Sequence, residues 1–291
     1  MVVKTPAKIN LFLRVLTRRP DGYHELDSLM APVGLFDRLC FEFPRTPGMR
    51  VLCPEHPELE GPDNLAWRAA ECFFGALARA PRLRIRLHKG IPVAAGLGGG
   101  SSDAAATLLS LNRRFGRPFA PERLAELALS LGADVPFFLG RRPCRAGGVG
   151  ERLRPVRLPA FWVILACAPF GLSTREVFER FDRAHRLANR KIRLTERRDS
   201  ARERPSGGGW SRERLAVNLV NDLQRIGESL HPEIGKVRLE LLRAGAAGAS
   251  MTGSGPTVFG LFFSRQGAQR ALRAVRREGG WTYLVARGVA I

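Results

Sequence analysis

Residues 92–103 read Pro92-Val93-Ala94-Ala95-Gly96-Leu97-Gly98-Gly99-Gly100-Ser101-Ser102-Asp103, and glycine fills four of the five positions from 96 to 100. Before this glycine loop, alternating apolar and basic residues over 83–88 predict a strand, and the apolar run 104–111 after it predicts a helix. Glycine lets backbone amides face a ligand without an obstructing Cβ, and a helix N-terminus adds unpaired N–H groups and a positive dipole. The order strand, glycine loop, helix therefore indicates an anion site, and phosphate suits it best.

Two common phosphate-binding motifs do not fit the glycine loop. No Gly-Lys-Ser/Thr follows the glycines, as a Walker A motif requires. No acidic residue lies about twenty positions further on after a second strand, as a dinucleotide-binding motif requires. A tight turn with a serine helix cap is the structural alternative, and the density of glycines favours phosphate binding over it.

Composition limits the class of protein. A chain of 291 residues with 45% hydrophobic residues can form one large or two ordinary domains with a real core. No apolar run reaches the length of a membrane span, and the first residues lack the features of a signal peptide. The 5 cysteines are scattered without a Cys-x-x-Cys pair, which argues against a disulfide framework and a zinc site. We therefore expect a cytoplasmic protein without a membrane partner.

The formal net charge of +20 and the pI near 11.3 indicate an anionic partner, either nucleic acid or a small phosphorylated ligand. The basic excess is mostly arginine, which a GC-rich genome also produces, so charge alone does not decide. Its densest run, residues 197–214, is interpreted as an exposed insertion. A basic nucleic-acid-binding protein is therefore the alternative from a different class, although aromatic residues are not interleaved with the basic runs.

The N-terminal segment from Lys8 to Val15 alternates like a strand. Its aliphatic residues at 9, 11, 13 and 15 share one face, so Lys8 and Asn10 lie side by side on the other face with Phe12. That polar pair is either functional or simply the solvated side of a sheet. The turn signal Pro-Asp-Gly at 20–22 then delivers Tyr23 and His24 onto the next segment.

Further elements follow from periodicity and turn residues. A helix is predicted over 121–131, and Asp134 follows it just before Pro136. Asp134 is either the N-cap of a second short helix or a general base, and the two roles are compatible. Strands are predicted at 27–43, 161–168, 258–263 and 282–286. Helices are predicted at 64–80, around 177–178, and at 218–223, 234–244 and 266–278. A last glycine-rich turn lies at 253–255.

These features together resemble the GHMP kinases, small-molecule kinases of the galactokinase, homoserine kinase and mevalonate kinase kind. Residues 92–102 match their glycine loop, and residues 251–255 (Met-Thr-Gly-Ser-Gly) match their late glycine turn. Residues 6–13, 21–24, 63–65 and 131–137 are similar to one branch, the 4-diphosphocytidyl-2-C-methyl-D-erythritol kinases of the non-mevalonate isoprenoid pathway. The resemblance runs from residue 6 to about 263 and is weakest over 184–211.

The resemblance implies an α+β, two-domain GHMP kinase fold. Residues 1–155 would form the ATP-binding N-terminal domain, which is like the second domain of ribosomal protein S5. Residues 156–291 would form a ferredoxin-like C-terminal domain, with the active site in the cleft between the two. A monomer or a homodimer is expected.

The resemblance also implies ATP-dependent phosphorylation of a hydroxyl on the methylerythritol part of the substrate. Asp134 would take the hydroxyl proton, while Lys8 would lower the pKa of that hydroxyl and keep Asp134 ionised. Mg²⁺ would accompany ATP, with Ser102 as a candidate contact or, alternatively, a helix cap. Asp103 suits the helix dipole but would repel a phosphate, so its carboxylate is expected to point away.

The binding residues that the resemblance implies fall into two sets. ATP would contact Lys89, Pro92, Ala94, Gly96, Leu97, Gly98, Gly99, Gly100, Ser101 and Ser102. The cytidine diphosphate substrate would contact Asn10, Tyr23, His24, Phe178, Thr252 and Gly253. A homoserine or mevalonate substrate is the alternative within the kinases, and the Tyr-His pair argues against it. No obligatory nucleic-acid partner is expected.

Overall fold

The structure is a computed structural model that describes residues 1–189, 209–277 and 279–289. Its first sheet contains six strands: β1 (Val2–Arg18), β2 (His24–Glu42), β3 (Gly48–Leu52), β4 (Arg82–His88), β5 (Cys144–Gly147) and β6 (Arg152–Pro155). The order is β3-β4-β2-β5-β6, and β1 pairs antiparallel along nearly the whole of β2. The central strand β2 therefore connects every part of this sheet.

The helices of the N-terminal half cover this sheet. They are α1 (Leu65–Ala76), α2 (Gly99–Arg114), α3 (Pro121–Leu131) and α4 (Val135–Gly140). In α1 the residues Ala66, Ala69, Ala70 and Phe73 are fully buried, and this spacing places them on one helical face. That face packs with Leu108 of α2 in one core cluster.

The second sheet contains β7 (Trp162–Cys167), β8 (Gly248–Met251), β9 (Val258–Phe262) and β10 (Thr282–Arg287) in the order β10-β7-β9-β8. Helices α5 (Thr174–Asn189), α6 (Arg212–Val217), α7 (Gln224–Leu230) and α8 (Pro232–Arg243) lie between β7 and β8, and α9 (Arg265–Ala274) lies between β9 and β10. The pattern of strands and helices is that of a ferredoxin-like unit. The predicted α+β, two-domain class is confirmed.

Several predicted elements differ from the observed ones. The helix expected at 218–223 is wrong, because α6 ends at Val217 and Asn221 instead forms a bridge with Leu13 of β1. The strand β3 (Gly48–Leu52) was not among the predicted strands. Within the Arg-rich run, residues 197–208 lie outside the described residues, and the rest leads into α6.

The domain boundary at 155/156 stays a prediction. It falls between the end of β6 at Pro155 and the start of β7 at Trp162. None of the helices in the described residues is long and apolar enough to cross a membrane.

Candidate active site

Lys8 and Asn10 lie on β1, and both are only 4% exposed. The expectation that this face is the solvated side of the sheet is therefore wrong. The Lys8 ammonium donates to Asn10 Oδ1 at 2.7 Å and lies 3.2 Å from Asp134 Oδ2. A register shift after Asn10 also moves Phe12 into the apolar cluster of Ile9. The bulge separates the polar pair from the apolar residues that follow it.

Asn10 is fixed on three sides. Its side-chain amide donates to Ser28 Oγ at 2.8 Å, and the Ser28 hydroxyl donates to the Phe12 carbonyl at 2.6 Å. Its backbone N–H donates to Thr252 Oγ1 at 2.8 Å. Because the amide N–H is committed to Ser28, the Asn10 Oδ1 acceptor faces Lys8.

Asp134 directly precedes α4, but its carboxylate makes no capping hydrogen bond to that helix. The N-cap interpretation is therefore wrong for its side chain. Its side chain is 38% exposed, whereas that of Lys8 is 5% exposed. A buried cation thus lies behind a carboxylate that remains open to a ligand.

The glycine loop enters α2 earlier than the sequence indicated, because the helix begins at Gly99. Ala94, Gly96 and Gly98 have φ of 54°, 73° and 71°, the left-handed region that favours glycine. A Cβ on Gly98 would lie 2.9 Å from the Phe138 ring and 3.1 Å from Lys8 Cγ. The N–H groups in the first turn of α2 have no partner within the helix and can face an anion.

The late glycine turn meets the glycine loop. A Cβ on Gly96 would lie 2.5 Å from the Gly255 carbonyl oxygen, so only glycine allows this approach. A Cβ on Gly253 would lie 3.5 Å from Lys8 Nζ. The buried Asn221 side chain holds the turn by donating to the carbonyls of Met251 and Gly253 at 2.7 and 2.8 Å. The three separated motifs therefore converge on Lys8.

Ser102 is fully buried inside α2, where its hydroxyl donates to the Pro6 carbonyl at 2.7 Å and contacts the Thr5 hydroxyl. It joins α2 to β1. Ser102 therefore does not cap the helix, whose N-cap position is Gly98, and its hydroxyl is not directed to a ligand.

Lys89 pairs with two carboxylates, Asp37 Oδ2 and Asp103 Oδ2, the latter at 3.1 Å. Burial lowers the pKa of Lys89, but the Asp103 and Asp37 carboxylates outweigh that effect and raise it. Its predicted contact with ATP stays a prediction that this buried pairing does not favour.

Asp103 points away from the loop surface, as expected, and is 1% exposed. Burial raises its pKa to about 8, the Lys89 cation opposes this, and Asp37 adds to it. Burial thus disfavours the ionised form of Asp103, and its carboxyl lies against Lys89, away from the loop surface where a phosphate would bind.

His24 lies at the start of β2 with its ring stacked on Phe178 of α5, at 4.9 Å between ring centroids and 25° between planes. His24 Nε2 lies 2.7 Å from Asp182 Oδ1, and the Phe181 ring packs edge-on to the imidazole. Tyr23 is 64% exposed beside it. The structure thus brings His24 and Phe178 together and leaves the Tyr23 ring open to a ligand.

The remaining predicted ATP residues line the same loop. Pro92 and Ser101 are half-buried, Ala94 and Gly100 are exposed, and the Leu97 side chain is buried while its carbonyl accepts from the Lys8 N–H at 2.9 Å. Among the described residues there is no group of three or more His, Cys, Asp or Glu side chains that could hold a metal ion.

Sequence reasoning missed several residues that hold this site: Ser28, Asp37, Asp182 and Asn221. Most carry no local signal, because their partners lie far along the chain. Asp182 is the exception, since it follows Phe178 by four residues on α5 and that spacing puts both on one helical face.

Comparisons with known proteins identify the family to which this fold belongs. The family model for the GHMP kinases N terminal domain matches residues 64–141, and the model for the GHMP kinases C terminal region matches residues 208–280. Fold and site thus define a small-molecule kinase of the GHMP class.

The 4-diphosphocytidyl-2-C-methyl-D-erythritol kinase of Geobacter sulfurreducens is 39% identical to this chain over 277 residues, which is 95% of each chain. A crystal structure of 4-(cytidine 5'-diphospho)-2C-methyl-D-erythritol kinase superposes with a TM-score of 0.78 at 36% identity and covers 100% of both chains. The chain therefore belongs to the 4-diphosphocytidyl-2-C-methyl-D-erythritol kinase family. It is an ATP-dependent kinase of isoprenoid biosynthesis.

A homoserine kinase from Cytophaga hutchinsonii superposes with a TM-score of 0.69 at 17% identity, over 99% of this chain and 94% of its own. That likeness shows the shared fold alone. The homoserine alternative therefore has no support beyond the fold.

Proposed function

We propose that this kinase transfers the γ-phosphoryl group of ATP to a hydroxyl of 4-diphosphocytidyl-2-C-methyl-D-erythritol, with Asp134 as the general base and Lys8 assisting. The substrate in the names of its relatives supports this acceptor. The single observation that carries the mechanism is the Lys8 ammonium, buried between Asn10 Oδ1 at 2.7 Å and Asp134 Oδ2 at 3.2 Å.

In the proposed reaction, Asp134 accepts the proton of the acceptor hydroxyl. The oxygen then bonds to the γ-phosphorus as the bond from that phosphorus to the β–γ bridging oxygen breaks, and ADP leaves. Lys8 stabilises the developing negative charge on the acceptor oxygen and favours the ionised form of Asp134. Such reactions depend mainly on positioning and electrostatics.

The glycine loop would bind the ATP phosphates through backbone N–H groups at the start of α2. Mg²⁺ is usually held by one or two carboxylates together with substrate phosphates, so the lack of a metal-binding cluster in the described residues is compatible with it. Bound with ATP, Mg²⁺ would offset the phosphate charge.

The cytidine end of the substrate would lie against Tyr23, His24 and Phe178. The stack of His24 on Phe178 offers an aromatic surface, and the exposed Tyr23 ring lies next to it along the chain. Aromatic surfaces of this kind suit a pyrimidine base. A cytoplasmic location and a monomeric or homodimeric state stay predictions.

The substitution Asp134→Asn tests the base. We expect kcat to fall at least about 100-fold, because the amide accepts no proton from the hydroxyl. Asp134→Asn also leaves the buried Lys8 ammonium without its counter-ion, so the melting temperature should fall, and kcat is measured well below it. The assay couples ADP release to NADH oxidation with the cytidine diphosphate substrate and Mg-ATP.

Glu122→Gln is the matched control, since it makes the same chemical change on an exposed position of α3 and should leave kcat unchanged. Near-wild-type turnover by Asp134→Asn would overturn the base assignment. Turnover of homoserine or mevalonate, without turnover of the cytidine compound, would overturn the proposed acceptor.

A further inference from the structure

Three titratable side chains outside the reacting centre lie buried against the glycine loop: Asp37, Lys89 and Asp103, which we call the Lys89 cluster. Their side chains are 0%, 6% and 2% exposed, respectively. Lys89 Nζ pairs with Asp37 Oδ2 and lies 3.1 Å from Asp103 Oδ2. Because the cluster is almost completely shielded from solvent, any effect on a ligand must pass through the backbone that it holds.

The cluster fixes the start of the glycine loop. Asp37 on β2 accepts hydrogen bonds from the backbone N–H groups of Gly90 and Ile91, at 2.7 and 2.8 Å. These two peptides lead from β4 and Lys89 into the loop. A carboxylate that accepts from two successive backbone amides holds both peptide planes in place.

The cluster also contacts the other end of the loop. Asp103 lies in α2 itself, and a Cβ on Gly99 would lie 3.1 Å from Lys89 Nζ. The preceding Gly98 lies against Lys8 Cγ on the reacting side. The junction between loop and helix is thus packed between Lys89 on one side and Lys8 on the other.

The loop between these two ends needs such support. Ala94, Gly96 and Gly98 all have positive φ, and a non-glycine residue in that region costs free energy. Backbone of this kind persists when the surrounding structure fixes it. The two ends of the loop are the points at which the Lys89 cluster supplies that constraint.

We propose that the Lys89 cluster is a positioning device that holds the glycine loop in the conformation that binds the phosphates of ATP. Lys89 then acts through the backbone of the loop, in place of a direct contact with phosphate. The inference rests on the proposed role of the glycine loop in ATP binding, adds Asp37 and Asp103 to that site, and gives Lys89 a positioning role there. None of them touches the reacting atoms.

The test uses the full-length protein and two variants. Asp103→Asn keeps the shape of the side chain and one hydrogen-bond acceptor for Lys89. Because Lys89→Met alone would leave Asp37 buried without its cation, the second variant is the double change Lys89→Met/Asp37→Asn. The binding of adenylyl imidodiphosphate, a non-hydrolysable ATP analogue, is measured by calorimetry with Mg²⁺, and KM is measured for both substrates.

The expected result is a Kd for the ATP analogue and a KM for ATP that rise by about tenfold in the double variant, and by about threefold in Asp103→Asn. The KM for the cytidine substrate should stay within about twofold, because that end of the site is built from His24 and Phe178. Glu228→Gln is the control, since it removes an ion pair with Arg238 on α7 and α8 and should change neither constant.

A purely structural cluster would lower the melting temperature and leave the Kd of the folded protein unchanged, and that outcome would overturn the proposal. If the double variant does not fold, a Kd of Asp103→Asn equal to that of the wild type overturns it. The binding measurement does not depend on turnover. If the wild type failed to phosphorylate the cytidine compound, the proposed function would fail while the Kd values still decided the role of the cluster.

Discussion

Lys8 is a buried cation whose two oxygen partners explain its position. Burying an ammonium is costly unless it is paired and hydrogen-bonded, and Asn10 and Asp134 supply both conditions. Asp134 remains partly exposed, so the pair leaves one carboxylate available to a ligand. The alternation of β1 predicted that Lys8 and Asn10 are neighbours, but it carried no information on which carboxylate lies opposite them.

The substitution Gly98→Ala tests how tightly the glycine loop packs at one residue. We expect Gly98→Ala to raise the KM for ATP by at least about tenfold, because its Cβ would lie 2.9 Å from the Phe138 ring and 3.1 Å from Lys8 Cγ. The loop must shift to relieve both contacts. The measurement is the KM for ATP together with the melting temperature.

Gly116→Ala is the matched control for this change. Gly116 has a φ of 76°, close to the 71° of Gly98, but nothing lies within 4 Å of its Cβ position. It carries the same backbone penalty without the crowding, so its KM for ATP should equal that of the wild type. Equal KM values for both variants would show that the Gly98 contacts do not matter for ATP.

Among the elements, strand β1 was predicted correctly as a strand, but the sequence did not predict the burial of both its faces. Its alternation is real, but both faces are buried, because the apolar face packs against residues of the second sheet such as Val163 and Phe259. The bulge after Asn10 then changes the face of Phe12. A bulge depends on pairing with β2, so periodicity in one segment cannot show it.

Helix α5 brings an aromatic ring and a carboxylate to His24 on one face. We expect Phe178→Ala to raise the KM for the cytidine substrate by about tenfold, since base–aromatic stacking contributes ~1–3 kcal/mol. The KM for ATP should change by less than about twofold, because the ATP phosphates are assigned to the glycine loop. Both constants come from the coupled ADP assay.

Glu179→Ala on the same helix is the control for Phe178→Ala. Its side chain is 50% exposed and pairs with Arg175 on the outer face of α5, so both KM values should be unchanged. Equal increases in the two KM values for Phe178→Ala would remove this residue from the substrate site.

At the scale of the whole molecule, the two sheets are joined at the reacting centre. Thr252 and Asn221 both come from the C-terminal half, and they hold Asn10 of β1 and the turn at Gly253. The Asn221 backbone also bridges to Leu13 of β1. The reacting centre therefore depends on how the two halves pack, and a separate half would lack part of it.

Thr252→Val tests this junction. Valine has nearly the same shape, but it leaves the buried Asn10 N–H without its acceptor, which costs about 1–3 kcal/mol in the free energy of unfolding. We expect that loss in urea denaturation. We also expect a lower kcat, because the Thr252 hydroxyl holds Asn10 and the Asn10 Oδ1 accepts from the Lys8 ammonium. A stability equal to that of the wild type would contradict the role of this hydrogen bond.

Thr107→Val is the matched control. Thr107 is also fully buried, but its hydroxyl donates only to the Asp103 carbonyl of its own helix, at 2.8 Å. Without that donor the Asp103 carbonyl still accepts a backbone hydrogen bond within the helix. The loss of stability should therefore be clearly smaller than for Thr252→Val.

The net charge of +20 belongs to the whole molecule and does not define its class. Family membership and the convergence of the motifs on Lys8 place the protein among the small-molecule kinases. A basic surface suits phosphorylated ligands as well as nucleic acid. No observation therefore favours a nucleic-acid-binding function over the kinase function.

The sequence by itself determined the class, the glycine loop and most of the elements, because periodicity and turn chemistry are local properties. The strand, loop and helix around residues 92–103 are predictable because Gly96 and Gly98 adopt positive φ, a local conformation that favours glycine. The tertiary structure alone decided that Ser102 is buried against β1 and that Lys89 pairs with Asp37 and Asp103. These are contacts between residues far apart along the chain, and only the packing of β1, β2 and α2 brings their charges into a shared, desolvated environment.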